Sequence, residues 1–163
     1  ADPYDKLPAI TYWLMGSLSF STSSIVWNLT IPMLGGILIL IFFSKYLNAL
    51  SLGDEEAKAL GVNTKLLKLI IILVATLISA LSVILAGIIG WIGLIIPHIT
   101  RLLFGADNKV ILPMSALIGA IFLLIVDNTS KLIFSFEIPI GIVTAIIGIP
   151  IFIFVLKNAK KGF

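Results

Sequence analysis

The chain holds a single histidine, His98, and no cysteine, so few of its residues could perform chemistry. Hydrolysis needs a nucleophile, an imidazole base and a carboxylate within hydrogen-bond reach of one another. Asp107 lies close enough in sequence to serve His98, whereas Asp127 and Glu137 follow another apolar run and belong at the opposite face of any membrane it crosses. An intramembrane hydrolase using His98 and Asp107 is one expectation. The other is that His98 ends a helix and bonds a nearby carbonyl. One histidine and no cysteine cannot build a transition-metal site, and the carboxylates are scattered over loop positions. No GxxxxGK[ST] phosphate loop is present, so any nucleotide chemistry that drives this chain belongs to another one.

The second pattern is one of backbone. Gly87, Gly90 and Gly93 recur at spacing three in an apolar run that reaches Pro97-His98. Residues that weaken a helix so often imply a backbone lying close against other helices or lining a cavity. Gly35-Gly36, Ala116 with Gly119 and Ala120, and Gly141, Ala145 and Gly148 are small residues at helical spacing, for which close helix packing is sufficient. No apolar segment carries a charge near its middle, which argues against a proton-coupled carrier.

These residues must be positioned by membrane elements. Hydrophobic residues make up 60% of the 163, charged ones 12%, and mean hydropathy is +1.19, beyond what a soluble core of this size needs. Five apolar segments emerge, 25–43, 66–85, 86–99, 112–126 and 140–156. The first two have the ~20 residues that cross a bilayer and the others are shorter, the third being a broken Gly-rich helix stopped near Pro97. The fold class is therefore all-α, a polytopic transmembrane bundle of about five spans forming a single domain over 1–163. A net charge of +3 does not point to nucleic acid, because the basic residues cluster beside apolar segments. If the segments alternate in direction, Lys45, Lys58, Lys65, Lys68, Arg101, Lys109, Lys157, Lys160 and Lys161 share one side and only Lys6 and Lys131 the other. That bias puts the amino end outside, the carboxyl end in the cytoplasm, and the turns at 86–90 and 127–139 on the outer face. An interfacial helix is expected over 7–20, and the opening Ala1-Asp2-Pro3, without Met or a basic apolar leader, reads as that of a fragment.

Between the first two spans, residues 50–62 carry the punctuation of a short cytoplasmic helix. Ser51 or Asp54 could cap it, Asp54, Glu55 and Glu56 suit the positive end of its dipole, and Gly61 suits a left-handed exit. About two turns long, it needs a partner surface. That surface is either a cytoplasmic protein or the chain's own bundle.

Four stretches together carry a resemblance: Gly90-Trp91-Ile92-Gly93-Leu94-Ile95-Ile96-Pro97-His98-Ile99-Thr100-Arg101, Gly105-Ala106-Asp107, 112–120, and 137–152 with its Glu137-Ile138-Pro139-Ile140-Gly141 start. Along with Leu52-Gly53-Asp54-Glu55 and Ala59-Leu60-Gly61-Val62, they closely resemble the permease subunits of ABC importers for iron-siderophores, haem and cobalamin. The likeness runs over the whole chain and corresponds to the carboxyl-terminal half of such a permease. It implies a non-enzymatic subunit of an ATP-driven importer in the cell membrane, with a metal-chelate as substrate, most often a ferric siderophore. The chain itself would hold no cofactor, ATP being used by a cytoplasmic ABC ATPase. Its other partners would be an extracytoplasmic substrate-binding protein, membrane lipid, and a second permease copy or other half-permease. By the same resemblance Leu52, Gly53, Asp54, Glu55, Ala57, Leu60 and Gly61 would couple to the ATPase, the exposed Glu and Ala positions making contact. Gly87, Gly90, Gly93, Pro97 and His98 would line the pathway, and Lys131, where the family often has Arg, would meet the binding protein. Trp91 stands where Phe is usual, and Asn108-Lys109 where His-Arg is common. A nonfunctional truncated permease is a further alternative.

Overall fold

The computed structural model describes residues 3–18, 21–133 and 139–159; Glu137, Phe20, Lys160 and Lys161 lie outside the described residues. Seven helices follow one another: α1 (Pro3–Leu14), α2 (Ser23–Leu50), α3 (Asp54–Ala59), α4 (Thr64–Ala86), α5 (Ile92–Phe104), α6 (Asn108–Ile133) and α7 (Ile140–Ala159). No strand occurs among the described residues. Three helices, α2, α4 and α6, are long and apolar enough to cross a membrane, and α5 and the 140–153 stretch of α7 are shorter apolar helices.

Packing follows residue size. α2 exposes Trp27, Ile31, Leu34, Leu38 and Phe42, spaced three or four apart, as an outward apolar stripe suited to lipid. Its inward face buries Gly36 and Ser44. A Cβ added to Gly36 would sit 2.8 Å from the Ile78 side chain, so α2 and α4 approach closely only because that residue is glycine. α2 packs mainly on α4 and also on α6, while α5 and α7 pack on α6 and on each other. Ile95, Ile96, Ile111, Val126 and Ile140 form the buried centre of the α5–α6–α7 group.

The bundle has two ends. At one lie α3, the N-terminus of α4 and the α5–α6 turn, tied by the Asn48 side chain to Asp107 and to the Asn108 backbone. The other holds the end of α1, the link from α4 to α5 and the start of α7, where Ile140 and Gly141 N–H groups donate to the Gly16 and Met15 carbonyls. Lys45, Lys58, Lys65, Lys68, Arg101, Lys109 and Lys157 therefore fall at or toward the α3 end, and Lys131 toward the other.

Two expectations of helix extent are corrected. Pro97-His98 does not stop a helix: α5 runs through it to Phe104. The N–H missing from Pro97 would have bonded the carbonyl of Gly93, inside the second turn, and α5 starts after the glycine link rather than before it. The fourth segment is not short either, since α6 has 26 residues. Its polar ends stay helical because Asn128 and Thr129 donate to the carbonyls of Leu124 and Ile125 one turn back, so residues 127–133 are helix and not turn.

Candidate functional site

Two places gather the residues singled out above. The first is α3. Gly53 precedes it with φ 127°, and a Cβ there would collide with the Glu56 carboxylate, which folds back over the helix start. Asp54, Glu55 and Glu56 occupy the first turn, beside the unbonded N–H groups. At the far end the Val62 N–H reaches the Ala57 carbonyl (3.0 Å) and the Gly61 N–H the Lys58 carbonyl (2.8 Å), the double bond of a Schellman motif with Gly61 at φ 80°. Both Asp54 carboxylate oxygens accept from Lys68 Nζ at 2.6 Å, bracing α3 on α4. Lys58 donates to Glu55 (2.8 Å), and that bond, followed by the attraction of the same carboxylate, raises the Lys58 pKa above its ordinary 10.5. Asn63 then caps α4 through the Leu66 N–H.

The short helix is therefore rigid beyond its length, and what it presents outward is specific. Leu52 and Leu60 are 66% and 67% exposed, and the Glu55 side chain 84%. Ala57 is the exception: it is wholly buried, facing the chain's own bundle. Its assignment as a partner contact is corrected, because the residue a helical turn after Gly53 points inward and only the flanking positions face out.

The second place is the link between α4 and α5. Gly87 ends α4 with φ 67° and ψ −157°, a region open essentially to glycine. A Cβ there would collide with the Trp13 carbonyl oxygen, and one on Gly141 with the Met15 carbonyl. The end of α1 thus lies backbone to backbone against both, and the Ser17 N–H donates to the Ala86 carbonyl (3.0 Å). Gly87 and Gly93 border a cavity of about 500 Å³ whose other walls include Met33, Ile78, Ser79, Ser82 and Leu123. Gly90 borders instead a shallower groove with Met15, Gly141 and Ala145. Gly90 and Gly93 have open space where a Cβ would project.

Trp91 starts α5 with φ 66°, the one non-glycine residue at positive φ among the described residues. Its ring packs on Phe152 at 5.8 Å, and its Cβ would be 3.0 Å from a Cβ on Gly148, so the seat requires a glycine opposite. For a bulky residue this backbone is a real outlier that costs about 1–3 kcal/mol.

Pro97 and His98 line neither cavity. His98 is exposed, with Nδ1 2.9 Å from the Leu94 carbonyl in the preceding turn. Asp107 caps α6: its Oδ1 accepts from Asn48 Nδ2 (2.6 Å) and from the Lys109 N–H (2.9 Å), and these bonds lower its pKa in that order. The structure does not join His98 to Asp107, so the hydrolytic pair is not assembled. Lys131 lies on α6 and pairs with Asp127 at 2.8 Å.

Sequence reading missed Asn48, Gly16 and the backbone of Trp91. It also missed the caps Asn63 and Asp107, although an Asn or Asp just before a helix is a local signal that could have found them; Asn48 carries no local signal, since its partners lie about 60 residues away.

Comparison with known proteins places this geometry. Residues 2–158 match the FecCD transport family. The chain belongs to that family. A molybdate import system permease of Haemophilus influenzae is 42% identical over 99% of this chain and 48% of its own length. An iron(3+)-hydroxamate import system permease of Bacillus subtilis is 37% identical over 98% of the chain and 42% of its own. Among solved structures, a metal-chelate type ABC transporter in an inward-facing conformation matches with a TM-score of 0.88 at 43% identity, over 97% of this chain and 51% of that one. The chain thus spans about half the length of the relatives it matches. Membership of the FecCD transport family accounts for the three helices long and apolar enough to cross a membrane.

Proposed function

We propose that this chain is half of the permease of an ATP-driven importer and forms part of its translocation pathway. The carrying observation is α3: a two-turn helix, braced by Asp54–Lys68 and closed by Gly61, that leaves Leu52, Glu55 and Leu60 exposed. An apolar pair flanking a carboxylate fits a groove with apolar walls and a basic residue, and the partner is a cytoplasmic ABC ATPase that hydrolyses the ATP. Gly53 and Gly61 act there by shaping the loop, Asp54 by bracing it. Seven basic residues at or toward the α3 end support a cytoplasmic position for that end, which puts the amino end outside. The protein would sit in the cell membrane beside a second permease copy or the other half-permease.

Substrate delivery would come from an extracytoplasmic binding protein near Lys131, whose ammonium, half exposed beside Asp127, remains open to a second carboxylate. The cavity bordered by Gly87 and Gly93 has an apolar lining with Ser79 and Ser82 and no charge among its described residues. A bare oxyanion finds no cation there, whereas a bulky metal-chelate presents apolar surface, so the lining favours a ferric siderophore over molybdate.

Glu55→Arg combined with Leu60→Asp should abolish copurification with the ATPase while membrane insertion is unchanged; retained copurification refutes the docking. A cysteine placed at Leu60 should react with an impermeant maleimide only after the cell is opened. Reaction in intact cells would reverse the orientation.

A further inference from the structure

The Asn48 amide uses both its nitrogen and its oxygen, and in one orientation. Its Nδ2 donates to Asp107 Oδ1 at 2.6 Å, and its Oδ1 accepts the Asn108 N–H at 2.9 Å. Turning the amide over would set N–H against N–H and oxygen against carboxylate, so the pair of bonds fixes both partners. Asn48 stands on the last turn of α2, half-buried, and Asp107 and Asn108 form the start of α6. On the other side, Ser51 Oγ donates to the Asn48 carbonyl (2.7 Å), the Gly53 N–H to the Leu50 carbonyl (3.2 Å), and the Ala57 N–H to the Gly53 carbonyl (3.0 Å). These hydrogen bonds, with the backbone between Asn48 and Gly53, link the first turn of α3 to the first turn of α6.

Nothing else among the described contacts bridges α3 and the α5–α6 turn in this way: α3 touches α2 and α4, and its ion pair to Lys68 leads into α4. The α5–α6 turn is short, Gly105 to Asp107, so α5 follows where α6 starts. The opposite end of α5, at Ile92 and Gly93, borders the cavity.

We propose that the Asn48–Asp107–Asn108 clamp is the relay that carries a displacement of α3 to α5 and the cavity wall, which makes Asn48 a positioning residue for coupling. The inference rests on the ATPase-docking reading of α3. A side-chain amide suits the task, since it holds two elements in register through two bonds and charges neither of them.

The experiment uses the transporter that carries this chain, assembled with its ATPase in lipid nanodiscs. Nitroxide labels at Leu94 on α5 and Leu124 on α6, both exposed, report their separation with and without ATP plus vanadate. Wild type should show a shifted distance. Asn48→Ala, which deletes both bonds without adding charge, should retain the ATPase on purification and hydrolyse ATP, yet reduce the shifted population about fivefold or more, the lower range of measured coupling factors. In the exchange Asn48→Asp with Asp107→Asn, the new carboxylate accepts from the new amide and the Asn108 N–H, and the shift should return. A helix-stability role alone would not be restored in this pattern without a matching loss of protein in Asn48→Ala. An Asn48→Ala distance change equal to wild type overturns the relay. So does an exchange variant that is folded, binds the ATPase and shows no shift. Wild type that fails to retain the ATPase would instead overturn the docking reading beneath it.

Discussion

Gly87→Ala is the sharpest test of the α4–α5 link, because two independent costs fall on one methyl group. The backbone at φ 67°, ψ −157° costs a non-glycine residue about 1–3 kcal/mol. The new Cβ also meets the Trp13 carbonyl, which is backbone and cannot rotate aside. The end of α1 must move, and with it the bonds from Ser17 N–H to Ala86 and from Gly141 N–H to Met15, each contributing ~1 kcal/mol. The total is about 3–5 kcal/mol, on the order of 6–20 °C in melting temperature for a domain of this size. Gly93→Ala supplies the control, since nothing lies within 4 Å of its added Cβ and alanine in a helix is favoured by ~0.5–1 kcal/mol. The measurement is thermal unfolding of the detergent-purified permease carrying each variant. Equal melting temperatures for the two would refute the reasoning, because composition treats these glycines alike and only the geometry separates them.

Ala57→Arg should prevent α3 from seating on the bundle and reduce membrane yield, whereas Glu55→Arg at an exposed site should leave yield unchanged; both are read by quantitative immunoblot of membranes. Asp107 is held below the ordinary carboxylate range by Asn48, so its contribution is complete above about pH 4 and lost as pH falls through the folded value. Unfolding curves taken between neutral and acid pH should therefore slope less in Asn48→Ala than in wild type. For Lys58 the sign is opposite: its pKa is raised by Glu55, so the stabilisation persists below 10.5 and fades as pH climbs through the folded value, and Glu55→Gln should remove that alkaline dependence. Lys131→Gln should leave stability within about 1 kcal/mol, as for an exposed i,i+4 pair, while weakening capture of the binding protein in a pull-down.

Much of this architecture was legible because apolar length and the placement of Lys and Arg are global signals that survive without knowledge of packing. The segments at 25–43 and 66–85 fall within helices the structure contains, and Gly61 closes α3 in a left-handed conformation as read, but neither Ser51 nor Asp54 caps it: Gly53 is the N-cap, Ser51 bonds back to Asn48 and Asp54 pairs with Lys68. Where the reading erred, the local rule was outweighed by context. Pro97 looks like a stop because it removes one hydrogen bond, but α5 is buried through Ile95, Ile96 and Thr100 on either side of it, and one lost bond does not outweigh that packing. The resemblance makes Ala57 an outward contact, yet helix periodicity turns it inward. Gly87 was identified as special, although its neighbour across the gap is the end of α1 as well as the cavity. Gly16 and Asn48 could not have been found, for both act on residues remote in sequence.

The two ends of α5 are held by different kinds of bond, and that difference bears on how the helix could work. At thirteen residues it is about 20 Å long, shorter than a ~30 Å hydrocarbon layer, and it is preceded by the link from Gly87 to Trp91. That link is held by glycine backbones lying against one another and by a strained tryptophan seated on Phe152. Such an arrangement tolerates few substitutions, since Trp91 and Ile95 both pack into the space left by Gly148. The other end is fixed by the paired bonds of one amide. On the relay proposal, α5 carries a displacement near α3 along its length to Ile92 and Gly93, which border the cavity. Relief of the Trp91 strain, at about 1–3 kcal/mol, is of the size that biases a two-state element without committing it to either state. Trp91→Gly should on this account shift the resting Leu94–Leu124 distance even without nucleotide, whereas Trp91→Phe, which keeps the ring and the strain, should not.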